Sequence, residues 1–353
     1  MSPEFAISAD DRTGALEVAG MVAAVLGEAV RVAVGRFDGG RIVVADLGTR
    51  HLDPALAASI VGSTGPVDCL RRAHKIDSLL RGNWAFELVS LALSFDRILV
   101  VPAFPLMGRT CIGGVVHAVD GTSGDARDAN RSSRPRDHLI AAGAGDVAEL
   151  RDAAAVDRWL THGSHIGVCD ASSDDDLAAI ATSWSRSSGV LFAGPSAAVV
   201  AAVSAGAARS AGAARSRPVI DPKSDVLVVC GSLHPMARAQ ITRVVDPRVS
   251  VLATAMPARV PVEAAAAERS AIELAVATRA RLADGGVGTM IVLGGDTAAA
   301  VLGDETMIVG GVLQPGTPWM RFASGAGPLV ITRAGSFGDV DSLAEMIAAR
   351  MGP

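Results

Sequence analysis

The chain has 353 residues, half of them apolar, with a net charge of −5 and a pI near 5.8. That length suits two domains with large cores, and with aromatics at 3% and no tyrosine the cores must be built from Ala, Val, Leu and Ile. The acidic balance and the lack of a basic tail exclude nucleic acid and anionic membrane as expected partners, and four scattered cysteines (Cys69, Cys111, Cys169, Cys230) without a CxxC pair argue against zinc and a disulfide framework.

Glu4, Asp10 and Asp11 arrive before any long apolar run, so no signal peptide is expected and the cytoplasm is the expected compartment. Residues 5–9 read as a first strand. Residues 14–26 read as a helix with Leu16, Ala19, Val22, Ala23 and Leu26 on one face. Between them stands Ser8-Ala9-Asp10-Asp11-Arg12-Thr13-Gly14-Ala15. One aspartate, or Thr13, can cap the helix by accepting its orphan N–H groups. Adjacent carboxylates repel, so the pair calls for a second use: accepting hydrogen bonds from ligand hydroxyls. A haloacid-dehalogenase nucleophile would need Asp-x-Asp-x-Thr, which is not the order here.

Next comes Lys75-Ile76-Asp77-Ser78-Leu79-Leu80-Arg81-Gly82-Asn83. Lys75 is one of two lysines, with Lys223, against thirty arginines. A compact ammonium on a flexible stem does what a guanidinium fork cannot. Lys75 and Arg81 can neutralise a carboxylate or phosphate, and Asp77 can take a hydroxyl. The competing reading is a solvated helix start, with Arg81 and Glu87 in surface pairs. Residues 97–102 read as a buried strand, followed by the stiff loop Pro102-Ala103-Phe104-Pro105-Leu106-Met107-Gly108-Arg109-Thr110, which projects Arg109. His117 and Asp120 read as loop residues.

Strands at 166–169 and 190–193 follow, the first succeeded by Asp170 and a Ser/Asp cluster. An Ala-rich helix opens at Ser196; its run to 214 has the length of a membrane span, but Arg209, several Ser and Gly, and weak Ala hydropathy argue against one. Residues 206–223 have linker composition. Beyond them, strands at 226–230, 289–293 and 329–332 alternate with helices at 236–244, at 263–283 and through Leu302. Three glycine turns lie at these strand ends: Gly231-Ser232, Gly294-Gly295-Asp296-Thr297 and Gly335-Ser336-Phe337-Gly338. Glycine lets backbone N–H groups approach phosphate, and a helix N-terminus favours the anion. Neither a Walker A loop nor a GxGxxG fingerprint is present.

The alternation predicts an α/β protein of two domains, 1–215 and 222–353, each a largely parallel sheet flanked by helices. Ligands collect at the C-terminal ends of such strands, so the active site is expected in the cleft between the domains.

Taken in order, Asp-Asp-x-Thr-Gly-Ala, Lys-x-Asp-Ser-x-x-Arg-Gly-Asn, Pro-Ala-Phe-Pro-x-x-Gly-Arg-Thr, Gly-Ser, Gly-Gly-Asp-Thr and Gly-x-Phe-Gly resemble the four-carbon acid sugar kinase family, from Ile7 to about Leu343. The resemblance implies an N-terminal acid-sugar domain, a C-terminal nucleotide domain, and phosphorylation of threonate, erythronate or a 3-oxo-tetronate with ATP and Mg²⁺. Asp10, Asp11 and Lys75 would be catalytic. The same three with Asp77, Arg81 and Arg109 would bind the acid sugar. Ser232, Gly294, Gly295, Asp296, Thr297, Gly335 and Gly338 would bind ATP, and no protein metal site is implied. The expected partner is a small acid sugar, with a homo-oligomer left open. Three departures stand out: Glu17 for a usual Asp, Leu79 for a usual Thr, and Arg333-Ala334-Gly335-Ser336 for a Lys-Ser-Gly-Gly-like run. They keep a second expectation alive, a silent paralogue that binds a sugar acid or nucleotide. A Rossmann-type dehydrogenase is a third, weakened by the missing fingerprint.

Overall fold

A computed structural model describes residues 2–64, 68–118, 132–207, 218, 224–256 and 264–351. The first part of the chain holds strands β1 (Phe5–Ala9), β2 (Val30–Val34), β3 (Ile42–Asp46), β4 (Arg71–Lys75), β5 (Arg97–Val100), β6 (Arg109–Ile112), β7 (Val115–Ala118), β8 (Ser132–Ser133), β9 (Val147–Leu150), β10 (Ile166–Cys169) and β11 (Val190–Gly194). Its helices are α1 (Arg12–Leu26), α2 (Pro54–Ser63), α3 (Trp84–Leu91), α4 (Pro135–Ala141), α5 (Ala153–His162), α6 (Asp174–Ser185) and α7 (Ser196–Gly206). The second part adds β12 (Asp225–Cys230), β13 (Val249–Ala253), β14 (Val287–Leu293), β15 (Met307–Gln314), β16 (Thr317–Phe322) and β17 (Leu329–Arg333), with α8 (Pro235–Thr242), α9 (Ala264–Ala283), α10 (Gly295–Leu302) and α11 (Ser342–Met351).

The apolar runs read from the sequence are all strands, within a residue or two at their ends. One main sheet in each domain was expected, whereas fourteen of the strands form a single sheet ordered β13-β12-β14-β17-β16-β15-β2-β3-β1-β4-β11-β5-β10-β9, and β6, β7 and β8 form a separate small antiparallel sheet. Both arms are parallel. They meet through the β15–β16 hairpin, antiparallel to β17 on one side and to β2 on the other. Sequence alternation missed this hairpin because Gly310-Gly311 and Pro318 interrupt it. Gly310 leaves the space that Trp319 fills: a Cβ there would collide with the indole.

Three apolar clusters sandwich the sheet. One packs α1, α5, α6 and α7 on the first arm and continues to α9 and α10; a second sits under α2, α3 and α4; a third lies under α8 and α11. Strand β4 is central yet reads Arg-Arg-Ala-His-Lys, with no apolar run to announce it. The Ser/Asp cluster after Cys169 is a helix start: Ser173 and Asp176 form a reciprocal capping box on α6. The expected linker at 206–223 falls almost wholly outside the described residues, as does Asp120.

Candidate active site in the inter-arm cleft

The C-terminal ends of β1, β3, β4, β12, β14 and β17 all open into one cleft of about 750 Å³. On the first arm, Asp10 and Asp11 divide their labour. Asp11 is the N-cap of α1, its Oδ1 accepting from the Gly14 N–H at 2.9 Å. Asp10 has no exposed surface, and both of its oxygens accept from Arg50, Nε to Oδ2 at 2.8 Å and Nη2 to Oδ1 at 2.9 Å. Arg50 Nη1 also donates to Asp11 Oδ2 at 2.8 Å. The ammonium of Lys75 completes the cluster, 3.6 Å from Asp10 Oδ1 and 3.5 Å from Asp11 Oδ1. A Cβ on Gly14 would collide with that ammonium, so this glycine is what lets Lys75 lie across the start of α1.

Asp77 accepts bidentately from Arg81, Nε to Oδ2 and Nη2 to Oδ1, both at 2.9 Å, and its Oδ2 also takes the Leu79 N–H at 3.0 Å. Arg50 Nη2 lies 3.6 Å from Asp77 Oδ1, tying the two clusters together. The 102–110 loop docks on the same segment, with Arg109 Nη1 donating to the Ser78 hydroxyl. Three carboxylates thus face three cations, in a setting that burial makes sensitive to any imbalance.

Burial pushes Asp10 towards the neutral acid, but Lys75 and Arg50 outweigh it and hold its pKa below the ordinary carboxylate value. Burial opposes ionised Asp77 as well, and the hydrogen bonds from Arg81 with the charge of Arg50 overcome it, so Asp77 is also depressed. Lys75 is disfavoured by burial yet raised by Asp10 and Asp11, and remains an ammonium. Asp46 is the exception. Burial raises its carboxyl to about 6, and Arg12, whose Nη1 is 3.8 Å away, offsets only part of that.

On the second arm the three glycine turns close on one another. A Cβ on Gly231 would collide with the Thr297 hydroxyl, and one on Gly335 with the Ser232 hydroxyl. Gly294 adopts φ 109°, open to glycine and strained for other residues, as the N-cap of α10, and no side chain caps this helix. The first-turn N–H groups of α10 are therefore not taken by a capping side chain. The two arms touch here, where a Cβ on Gly295 would fall 2.6 Å from the Thr13 hydroxyl of α1.

Asp10, Asp11, Lys75, Asp77, Arg81, Arg109, Ser232, Gly294, Gly295, Asp296, Thr297 and Gly335 all line the cleft. Gly338 is not among the lining residues. It adopts φ 76°, and a Cβ there would collide with the Arg333 guanidinium and the Ser342 hydroxyl. Arg333, the departure that favoured a silent paralogue, is buried and donates from Nη2 to the Phe337 carbonyl and the Ser342 hydroxyl, both at 2.7 Å. The reading of 75–83 as a solvated helix start does not hold. Lys75 ends a central strand, and Glu87 is fully buried rather than in a surface pair. Sequence reasoning missed Asp46, which ends an unremarked strand, and Arg50, just beyond it; the signal for Arg50 was indirect, since two adjacent carboxylates require a cation.

A mostly parallel sheet flanked by helices, whose strand ends gather buried charged side chains and glycine turns into one cleft, defines an α/β protein with a polar cleft between its arms. A family model described as the sugar-binding N-terminal domain matches residues 5–203, and the chain belongs to the four-carbon acid sugar kinase family. D-threonate kinase of Cupriavidus necator is 32% identical over 163 residues, 41% of this chain and 39% of that protein, so the match spans about two fifths of the relative's length. A Salmonella typhimurium LT2 structure described as a candidate tRNA synthase superposes with a TM-score of 0.74 at 20% identity, covering 96% of this chain and 98% of the other. A Haemophilus influenzae protein gives 0.66 at 18% identity, covering 97% and 98%. A citrate-bound, domain-swapped dimer from Bordetella bronchiseptica gives 0.51 at 23% identity, covering 99% and 98%. At these identities the solved structures speak for the fold alone.

Proposed function

We propose that this protein is an ATP-dependent kinase that phosphorylates a hydroxyl of a four-carbon acid sugar of the threonate, erythronate or 3-oxo-tetronate type. The observation that carries the reading is the meeting of α1 and α10 at Thr13 and Gly295, which brings the Lys75 cluster and the uncapped glycine turn into one cleft. Residues up to 215 would form the acid-sugar unit and residues from 222 the nucleotide unit. Lys75, Arg81 and Arg109 would neutralise the substrate carboxylate. Asp10, saturated by Arg50, would hold the cations in place, while Asp11, the more exposed of the pair, would orient the attacking hydroxyl. Phosphoryl transfer depends on such positioning and charge neutralisation more than on a strong base.

The residues present fit ATP. The crowded turns at Gly231, Gly294 and Gly335 leave backbone rather than side chain at the wall, and the first-turn N–H groups of α10 suit a phosphate. Ser232, Gly295 and Thr297 would flank the phosphates. Mg²⁺ keeps most of its waters and needs only one or two carboxylates beside the phosphates; exposed Asp296, in the first turn of α10, would supply one. Bound there, Mg-ATP provides the phosphoryl group with its charge already partly neutralised.

No helix among the described residues is long and apolar enough to cross a membrane, and we place the activity in the cytoplasm. A homo-oligomer is the proposed assembly, which light scattering would weigh. The deciding experiment is ADP release with Mg-ATP across a panel of four-carbon sugar acids and their 3-oxo forms. Substrate-dependent ADP from one or two compounds is the expected result. Silence across the panel, with ATP still raising the melting temperature, would instead favour a binding protein.

A further inference from the structure

Ser8, His74 and Glu87 take no part in the cleft wall, yet they form a continuous polar chain directly beneath it. Ser8 on β1 and His74 on β4 are register partners, with Ser8 Oγ 2.8 Å from His74 Nδ1. His74 Nε2 lies 3.0 Å from Glu87 Oε2 on α3. All three residues have no exposed surface. They sit on the side of the sheet occupied by Ile76, Leu80, Trp84 and Leu88.

The other Glu87 oxygen, Oε1, has no hydrogen-bond partner. A buried carboxylate satisfied on one side only is disfavoured against an apolar side chain of similar volume. Stability therefore does not account for this chain, but its place in the sequence does. The segment between His74 and Glu87 carries Lys75, Asp77, Ser78 and Arg81. It passes through Leu80, the one non-glycine residue with positive φ, 57°, among the described residues. It ends at Asn83, whose Nδ2 donates to the carbonyls of Thr49 at 2.8 Å and Leu52 at 2.9 Å, on either side of Arg50.

We propose that the Ser8–His74–Glu87 chain is a positioning device for acid-sugar binding, pinning α3 to β4 so that the intervening segment presents Lys75, Asp77 and Ser78 in one fixed geometry. The proposal rests on the acid-sugar reading of the cleft. With Glu87 ionised, His74 Nε2–H donates to it and the Ser8 hydroxyl donates to Nδ1, so each link has one donor and one acceptor. Asn83 fixes the far end against the Arg50 loop. A segment held at both ends can keep a strained residue such as Leu80 in its interior, as pre-organised sites do.

Two variants separate positioning from stability. Glu87→Gln keeps an oxygen that accepts from His74 Nε2; Glu87→Met fills the volume without an acceptor. Glu87→Met is expected to lower the melting temperature, because His74 Nε2–H is left buried without an acceptor, to raise the acid-sugar KM on the order of tenfold in the folded protein, and to leave the ATP KM unchanged. Glu87→Gln should stay close to wild type. An unchanged acid-sugar KM in a folded Glu87→Met protein overturns the proposal. Amide hydrogen exchange over 76–83, measured without ligands, needs no turnover. It should speed up in Glu87→Met, on the order of tenfold, and not in Glu87→Gln. If the wild type phosphorylates no acid sugar, the kinase reading fails while this exchange still decides the positioning claim, and equal exchange in all three proteins overturns it.

Discussion

Arg50 governs what the paired aspartates can do. One guanidinium satisfies Asp10 bidentately and reaches Asp11, so the acidic pair the sequence offered as a hydroxyl-binding motif is already half committed inside the protein. Arg50→Ala would strand Asp10 in a site with no solvent, and losing one partner of such a pair costs on the order of 3–5 kcal/mol. The expected result is a melting temperature far below wild type, read by calorimetry; a normal one would mean that Lys75 alone balances the carboxylates. Lys75→Ala should remove turnover, with a loss on the order of a thousandfold or more, while near-normal ADP release would refute the assignment. The pH dependence carries two opposite signs. Asp10 and Asp77 are depressed, so the stability they contribute is complete above the unfolded value of 3.8 and is lost as pH falls through their folded values. Asp46 runs the other way. Its folded carboxyl titrates near 6 against 3.8 unfolded, so stability declines as pH rises between them, by up to about 3 kcal/mol. Urea titrations at about pH 4.5 and 6.5 should show the gap between wild type and Asp46→Asn changing across that window. A constant gap would mean that Asp46 titrates as an ordinary carboxylate. Lys75 was legible because one of only two lysines in an arginine-rich chain is conspicuous. Asp46 was not, because its raised pKa comes from tertiary burial that Arg12, a residue distant in sequence, offsets only in part.

At the scale of elements, helix α1 shows why a motif keeps its glycine. Alanine at an interior helix position is favoured over glycine by about 1 kcal/mol, which alone would make Gly14→Ala stabilising. Its Cβ would fall 2.5 Å from Asp11 Oδ1, the capping oxygen, and into the Lys75 ammonium. The ammonium ends a flexible stem and can be displaced, so the fold should survive. The expected outcome is a folded protein with acid-sugar turnover lowered on the order of a hundredfold and ATP affinity retained; wild-type turnover would show that Lys75 need not lie across α1. Gly338 is a matching case in the second arm, where the sequence suggested phosphate contact and the backbone shows a left-handed turn packed on Arg333. Strands with continuous apolar runs, β1, β10, β12 and β14, were readable because burial on both faces leaves no polar alternation to confuse. Strand β4 was not, since it fills a central position with polar side chains and shows no apolar run; Arg72 is held by the Thr64 hydroxyl and the Phe37 ring and His74 by Glu87, pairings that no strand pattern announces.

The whole molecule is coupled through the seam that a two-domain reading leaves blank. Strand β15 continues the sheet of the first arm by pairing with β2, and α1 packs on β15, β16 and α10 as well as on its own arm. Arg12, at the start of α1, donates from Nη2 to the Glu305 carbonyl at 2.8 Å, a hydrogen bond across the seam made by a side chain that is almost fully buried. A helix whose two faces are covered by different arms cannot leave one of them without exposing apolar surface, at about 25 cal/mol for each Å² uncovered. The arms should therefore unfold together, although each has its own parallel strands and flanking helices. Gly20 is where this can be tested, because its Cα faces the hairpin so closely that a Cβ would fall 2.8 Å from Pro318 Cβ and 3.1 Å from the Gly311 carbonyl oxygen. Two of those neighbours belong to a backbone or a ring and do not rotate away. Gly20→Val should cost about 1–3 kcal/mol by overpacking, lower the single calorimetric transition as a whole, and weaken ATP and acid-sugar binding in parallel, because the cleft needs both walls. Two resolved transitions, with only one of them shifted, would show instead that the arms are thermodynamically independent and that the continuous sheet couples their geometry without coupling their stability.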